Sequence, residues 1–167
     1  MHKCLSLLLV VAPLAFAQNT QFGALIGLGG VAKLRDDSAH HVVLGVEGCV
    51  RCAGHLGLFL EYHHWTKTGS GGGNPTKLDL AGAGLRIQGT GSRVRPFFDV
   101  GGFVGARPRR YFLPQGAESL SLVAVLVGFG AAISVSEHWY VRPMARLGVL
   151  STNEVAGFAG ASIGYRF

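Results

Sequence analysis

The stretch Phe59–Trp65, FLEYHHW, brings together the residue types that acid–base and metal chemistry use. It holds a glutamate, a tyrosine, two adjacent histidines and a tryptophan within seven residues. Such a cluster could ligate a metal ion or transfer protons, provided that its side chains converge on one point. Convergence depends on the secondary structure, because side chains alternate across a strand but gather on one face of a helix.

The composition predicts one ordered domain with few charges. Of the 167 residues, 49% are apolar and 14% are charged, against about 25% charged in an ordinary soluble domain. Residues 1–17 predict a cleaved secretory signal, with Lys3 before a short apolar stretch and Ala15-Phe16-Ala17 as the cleavage motif. The mature domain is then expected to cover residues 18–167. The formal net charge of +6 comes without a dense Lys/Arg run, so nucleic acid is not an expected partner.

Two cysteines, Cys49 and Cys52, remain after the signal is removed. An oxidising compartment favours a disulfide between them, because a tight turn brings residues i and i+3 within about 7 Å. A four-cysteine zinc site would need a second pair, and Ala53 stands where haem attachment requires a histidine. The sequence therefore predicts a disulfide or two idle thiols here, and no metal or other cofactor.

The mature sequence repeats a unit of about ten residues rich in Gly, Val, Leu, Phe and Ala, followed by a polar or Gly/Pro-rich break. The eight segments are Gln21–Leu34, Val42–Val50, His55–Thr66, Lys77–Gln88, Arg95–Arg107, Leu120–Val135, Trp139–Leu150 and Gly157–Phe167. The breaks after the first, third and fifth segments are longer than those after the second, fourth and sixth. Short turns at one end and longer loops at the other predict an up-and-down meander of antiparallel strands.

Within most segments, apolar side chains alternate with small or charged ones, which is the period of a strand. A soluble barrel would turn its apolar side chains inward and leave glycine and alanine facing water, with few charges to solvate them. A barrel with the apolar side chains facing lipid and the charged ones facing a narrow lumen removes this difficulty. The predicted fold class is therefore all-β, an eight-stranded antiparallel up-and-down transmembrane β-barrel. A soluble lipocalin-like barrel is the alternative fold.

Two segments fit the alternation less well. In Lys77–Gln88, Leu78 and Leu80 lie on the opposite parity from Leu85 and Ile87. A bulge within residues 81–84 would place all four on one face. The segment Leu120–Val135 is apolar on both faces, so its alternation does not orient it.

Three stretches carry a resemblance to a known family: residues 128–132 (GFGAA), residues 137–143 (EHWYVRP) and the ending 160–167 (GASIGYRF). With these features the chain resembles the small outer-membrane β-barrels of the OmpA type. The resemblance implies an integral barrel of the Gram-negative outer membrane. It also implies that the barrel-assembly machinery reads Tyr165 and Phe167 as a terminal signal. It does not imply one activity, because the fold serves as an anchor, adhesin, small channel or enzyme scaffold.

The lumen of an eight-stranded barrel is about wide enough for side chains to fill it. The side chains that the alternation predicts to face inward and form a polar network are Glu47, Glu61, His63, Asp99, Arg107, Arg142, Arg146 and Arg166, with Asp79 as a further candidate. Buried charges need partners, so these residues predict an ion-pair network that plugs the lumen. The alternative is a gate whose pairs rearrange, which would make the protein a narrow porin-like channel.

The outward face is predicted to carry an aromatic belt. Its members would be Tyr62, His64, Trp139, Tyr165 and Phe167. The side chains of the stretch Phe59–Trp65 then divide between the two faces, with Glu61 and His63 inside and Trp65 near the rim. Its adjacent histidines point to opposite sides of a strand and cannot share a metal ion.

The segment around Arg109 and Arg110 follows the fifth strand. If this loop is external, its arginines could pair with lipopolysaccharide phosphates, and the alternative is ordinary solvated loop charge. The outer-membrane lipid A deacylases resemble this scaffold, but their His-x-Ser pattern would need a serine at Trp65 or Thr66. We therefore expect no enzyme. We expect a monomeric barrel among outer-membrane lipid and lipopolysaccharide, with a structural or loop-presenting role.

Overall fold

The computed structural model describes residues 20–33, 39–52, 54–68, 77–108 and 119–167. Eight strands pair antiparallel in sequence order, and β1 pairs with β8 to close the sheet into a barrel. The strands are β1 Gln21–Lys33, β2 Ala39–Val50, β3 Leu56–Lys67, β4 Lys77–Gln88, β5 Val94–Pro108, β6 Ser119–Ser134, β7 Trp139–Leu150 and β8 Glu154–Arg166. The predicted fold, a closed eight-stranded antiparallel barrel, is confirmed. Within the described ranges, no helix has the length and apolar character to cross a membrane.

Two strands begin three residues earlier than the alternation predicted. The β2 strand begins at Ala39 and β8 at Glu154, because both continue to pair with the end of β1, through Val31↔Ala39 and Lys33↔Glu154. The turns 51–55, 89–93 and 135–138 lie together at one end of the barrel, called here the short-turn end. The other end, where β7 turns into β8 at residues 151–153, is called the loop end.

The outward face of every strand carries exposed large apolar side chains. Examples, one from each strand in order, are Leu28, Leu44, Leu58, Leu85, Phe98, Val125, Leu147 and Ile163. Leu28 is 71% exposed and Phe129 is 63% exposed. A continuous surface of such apolar side chains would be unfavourable in water. An apolar exterior around a closed barrel is the arrangement of a protein that faces lipid, and it argues against the soluble alternative.

The predicted bulge in the fourth strand is wrong. The pairing of β4 runs without a break from Lys77 to Ile87 against β3, and without a break against β5. Leu78 and Leu80 therefore face inward and are fully buried. No change of register is needed, because this part of the interior is itself apolar. The pairing of β6 with β5 is also unbroken, and it orients β6 with Leu122, Ala124 and Leu126 inward.

The structure joins Cys49 and Cys52 by a disulfide across the turn between β2 and β3. The Gly54 N–H donates to the carbonyl oxygen of Arg51 at 3.0 Å, and Arg51 has a left-handed backbone with φ of 60°. The Gln21 side-chain amide donates to the carbonyl oxygen of Cys52 at 3.2 Å. The turn is thereby tied to the beginning of β1.

Candidate functional site: the barrel interior and its outer face

Six charged side chains fill the interior toward the short-turn end. They are Glu47, Glu61, Asp99, Arg86, Arg142 and Arg146, and all six are buried. They come from β2, β3, β5, β4 and β7, whose alternation turns each of them toward the axis. Three carboxylates meet three guanidinium groups, so this ion-pair layer has no formal excess of either charge.

Arg86 lies at the centre of the ion-pair layer. Its Nε and one terminal nitrogen donate to the two carboxylate oxygens of Asp99 at 2.7 and 2.8 Å. The same terminal nitrogen lies 3.4 Å from Glu47 and 3.5 Å from Glu61. The guanidinium carbon is also 4.7 Å from the ring centroid of Phe97. Paired hydrogen bonds to one carboxylate fix both partners, and the fully buried arginine links all three acids.

Arg146, on β7, joins two of these acids. Its terminal nitrogens lie 2.5 Å from Glu61 Oε2 and 2.7 Å from Asp99 Oδ2. Glu61 also contacts the ring nitrogen Nε2 of His63 at 3.1 Å. The His63 ring stacks on Phe103, with centroids 5.5 Å apart. His63 therefore links Glu61 of the ion-pair layer to the ring of Phe103.

Arg142 holds the third acid. Its NH1 lies 2.6 Å from Glu47 Oε1, and its NH2 donates to the side-chain oxygen of Gln21 at 2.7 Å. The Ser162 hydroxyl donates to the same Glu47 oxygen at 2.5 Å. These contacts connect β2 to β1, β7 and β8, so the first and last strands share one set of polar contacts.

The structure brings Glu47, Glu61, His63, Asp99, Arg142 and Arg146 together inside the barrel, where the sequence had predicted them. The sequence prediction missed Arg86, Gln21 and Ser162. A signal for Arg86 was present, because it lies between Leu85 and Ile87, which face outward. The inward placement of Asp79 is wrong, since the unbroken register of β4 turns it outward.

Two predicted members of the network stand apart from it. Arg166 ends β8 at the mouth of the short-turn end, where Arg95 and Arg142 act on it as like charges. It is only half-buried, and its Nε has no hydrogen-bond partner among the described residues. Arg107 belongs to β5, but its side chain lies outside the described residues. The same holds for all of Arg109 and Arg110, and for the predicted signal.

The interior toward the loop end is mainly apolar, with the buried His41 and Glu154 as polar exceptions at that end. The side chains of this apolar layer are Val31, Val43, Trp65, Leu78, Leu80, Phe103, Leu122, Ala124, Leu126, Leu150, Ala156 and Phe158. Trp65 is fully buried, with its ring 5.6 Å from that of Phe158 and 6.0 Å from that of His41. A Cβ at Gly29 would lie 2.8 Å from the Trp65 ring, so the glycine makes room for the indole. Trp65 was predicted on the inward face near the rim, and it lies inward two residues before the end of β3 with its indole fully buried.

The sequence had predicted that polar side chains alone would fill the interior. The structure shows apolar side chains there as well. It contains an ion-pair layer near the short turns and an apolar layer toward the loop end, where His41 and Glu154 are also buried. The difference arises mainly from the inward leucines of β4, which the expected bulge had turned outward, and from those of β6, which the alternation had not oriented. Leu78, Leu80, Leu122 and Leu126 occupy the positions that a wholly polar lumen would have filled with charge.

Tyr62, His64 and Asp79 meet on the outer face of β3 and β4. Asp79 Oδ1 accepts the Tyr62 hydroxyl at 2.7 Å and lies 2.6 Å from His64 Nδ1. His63 and His64 face opposite sides of β3 and do not meet. In the part of the chain that the structure describes, no group of three or more His, Cys, Asp or Glu could hold a metal ion. Tyr62 and His64 therefore face outward and form a polar cluster with Asp79.

The other three predicted belt residues meet at the outer rim of the short-turn end. The Trp139 ring lies 5.4 Å from the Tyr165 ring, and the Tyr165 ring lies 5.0 Å from that of Phe167. Phe22 extends the group, 6.0 Å from Phe167. Aromatic side chains gathered at the edge of an apolar band are typical of barrels at a membrane interface.

No family model matches the sequence, and no curated protein matches it. Solved structures do match. Neisserial surface protein A superposes with a TM-score of 0.77 at 14% identity, over 89% of this chain and 97% of that one. Ail, the attachment invasion locus protein of Yersinia pestis, gives a TM-score of 0.66 at 13% identity, over 91% and 100%.

The N-terminal β-barrel domain of Pseudomonas aeruginosa OprF gives a TM-score of 0.64 at 14% identity, over 90% of this chain and 98% of that one. These identities are too low to carry an activity from one protein to another, but the superpositions span nearly whole chains. They agree with the strand number, the antiparallel order and the apolar exterior described above. This chain therefore has the fold of the small eight-stranded outer-membrane β-barrels, as its sequence resemblance had predicted.

Proposed function

We propose that the protein is an integral barrel of the Gram-negative outer membrane that strengthens the envelope or presents its loops. The observation that carries the proposal is the pairing of an apolar exterior with a filled interior. An apolar exterior favours insertion into lipid, and two layers of buried side chains across the lumen favour a closed interior over a solute path. The outer surface and the loops of the barrel would therefore carry its function.

The surroundings follow from this location. The signal in residues 1–17 would direct the chain across the inner membrane, and the assembly machinery would recognise the final strand through Tyr165 and Phe167. The loop end would face outward, so Arg109 and Arg110 would lie near lipopolysaccharide phosphates. The barrel would be a monomer, because a closed sheet leaves no strand edge to pair with another copy.

A loop-presenting role is supported by one of the similar structures. Ail is an attachment invasion locus protein, and it has been crystallised in complex with the heparin analogue sucrose octasulfate. By analogy, the loops of this barrel would bind a partner outside the cell. The proposal includes no catalysis: His64 and Asp79 could orient a base, but the residue two positions beyond His64 is Thr66 rather than a serine.

The first test is location and heat-dependent mobility. We expect the full chain, expressed in a Gram-negative host, to fractionate with the outer membrane. On SDS gels the unheated sample should run differently from the boiled one, because closed membrane barrels resist SDS until heated. A protein recovered in the soluble fraction, with the same mobility before and after boiling, would contradict the proposal.

The second candidate function is a narrow channel, and one feature of the ion-pair layer favours it. Glu61 lies within 3.5 Å of Arg86 as well as 2.5 Å from Arg146, so it has two cationic partners between which it could switch. Against this, an ion leaving the ion-pair layer would have to enter the apolar layer without water. The desolvation cost of such a step is several kcal/mol or more.

Planar-bilayer recordings distinguish the two candidates. We expect the wild-type barrel and the Glu61→Gln variant to be equally silent, because the apolar layer is intact in both. The control is Arg93→Gln, which neutralises a charge in an exposed turn outside the ion-pair layer. Discrete openings that appear in Glu61→Gln and not in Arg93→Gln would support the channel and overturn the closed-lumen role.

A further inference from the structure

The disulfide between Cys49 and Cys52 lies inside the barrel, at the mouth of its short-turn end. Cys52 is fully buried although it belongs to a turn, and Cys49 is only 2% exposed. Cys49 faces inward from β2, where its backbone pairs with Gln21 of β1 and Phe59 of β3, both of them buried. The disulfide therefore crosses the inner side of the turn rather than its solvent side.

Three strands hold Cys52 in this position. A Cβ at Gly57 would lie 2.5 Å from the Cys52 Sγ, so the sulfur rests on the buried face of β3 where the glycine leaves room. The Gln21 side-chain amide donates to the Cys52 carbonyl oxygen at 3.2 Å, and the Gln21 side-chain oxygen accepts from Arg142 of β7 at 2.7 Å. Cys52 is thus fixed by β3, by β1 and, through Gln21, by β7.

Closure of the barrel changes the access to both sulfurs. A disulfide forms or breaks only when a thiolate reaches a sulfur atom, so the rate depends on access. In the closed barrel, Cys49 and Cys52 have almost no exposed surface. In a chain that has formed only the β2–β3 hairpin, the inward face is open, because part of its cover comes from Gln21 of β1 and Arg142 of β7. The sulfurs are therefore accessible before closure and shielded after it.

We propose that the Cys49–Cys52 bond is made by a thiol oxidation in the periplasm before the barrel closes, and that closure then shields the bond from exchange. The oxidant is a periplasmic protein that carries a reactive disulfide. One cysteine thiolate attacks that disulfide, and the other then displaces the oxidant from the mixed disulfide. The two thiols lose two electrons and two protons, and the oxidant leaves as a dithiol. This inference rests on the proposed secretion, whereas exchange rates of the purified barrel do not depend on it.

Exchange kinetics of the chain without residues 1–17, in which Cys49 and Cys52 are the only cysteines, test the inference. The oxidised chain, either folded in lipid vesicles or unfolded in urea, receives the reductant tris(carboxyethyl)phosphine, and a maleimide–polyethylene glycol gel shift counts the free thiols. We expect reduction of the folded barrel to be at least about a hundredfold slower, because the sulfurs are reached only when the turn opens. A barrel folded with reduced cysteines should likewise resist oxidised glutathione.

The matched control moves the cysteine pair to an exposed turn at the same end of the barrel. It combines Cys49→Ser and Cys52→Ser with Val135→Cys and His138→Cys, which keeps the spacing but replaces two exposed residues. This pair should be reduced at similar rates in the folded and unfolded chains. Reduction of Cys49–Cys52 in the folded barrel at nearly the unfolded rate would overturn the inference, and so would equal protection of both pairs. A barrel with heat-dependent mobility whose disulfide exchanges freely refutes this inference alone and leaves the proposed function standing.

Discussion

Replacing Arg86 by methionine is expected to lower the barrel's free energy of unfolding by about 3–5 kcal/mol, the range for removing one partner of a buried ion pair. Arg86 donates two hydrogen bonds to Asp99 and lies near Glu47 and Glu61. Without it, three buried carboxylates would share two arginines. The measurement is a urea titration of the barrel in lipid vesicles, followed by circular dichroism.

Two further variants make this result specific. Arg93→Met removes an arginine from an exposed turn and should change stability by no more than about 0.5 kcal/mol. Arg86→Met combined with Asp99→Asn removes one charge of each sign and should recover part of the loss, because two acids then face two arginines. A loss below about 1 kcal/mol in Arg86→Met alone would show that the ion-pair layer is solvated rather than closed.

Replacing Trp65 by alanine should lower the free energy of unfolding by a similar amount, about 3–5 kcal/mol, but for a different reason. Trp65 is fully buried between Phe158 and His41, so its loss leaves a cavity in the apolar layer. Gly29, which makes room for the indole, cannot fill that cavity because it has no side chain. The same urea titration measures the change, and Trp65→Phe should recover much of it.

Trp139→Ala is the matched control, since Trp139 is the only other tryptophan in the chain. It is 50% exposed on the outer rim, so its removal leaves no internal cavity and should cost clearly less. Equal losses in the two alanine variants would mean that the loop-end interior is not packed as described. Planar-bilayer recordings of Trp65→Ala would also show whether a gap in the apolar layer is enough to admit ions.

The sequence predicted eight strands and their directions because lipid and lumen place opposite demands on alternate residues. In β3, Leu58 and Leu60 face outward whereas Glu61 and His63 face inward, and this contrast is visible in the sequence. The prediction failed where the contrast vanishes. Near the loop end, β4 and β6 face lipid on one side and the apolar layer on the other, so leucine and valine suit both sides.

The errors about individual side chains have the same origin. Asp79 was expected inside on the assumption that strand charges avoid the outer face, but Leu78 and Leu80 hold the inward positions of β4. The full burial of Trp65 was also not foreseen, because no sequence pattern reveals how deep an apolar layer extends. The partners of each buried charge were also beyond the sequence, since they depend on which strands the closed barrel places opposite one another.

The ion-pair layer has a consequence for the order of assembly. Its contacts join residues far apart in the chain: Arg146 and Glu61 are separated by 85 positions, Ser162 and Glu47 by 115, and Arg142 and Gln21 by 121. The acids arrive on early strands and two of the three arginines on β7. An unfinished sheet therefore holds uncompensated carboxylates, which lipid disfavours. Only the final hairpin, by bringing in β7 and β8, neutralises them, so closure of the barrel and neutralisation of its interior are one event.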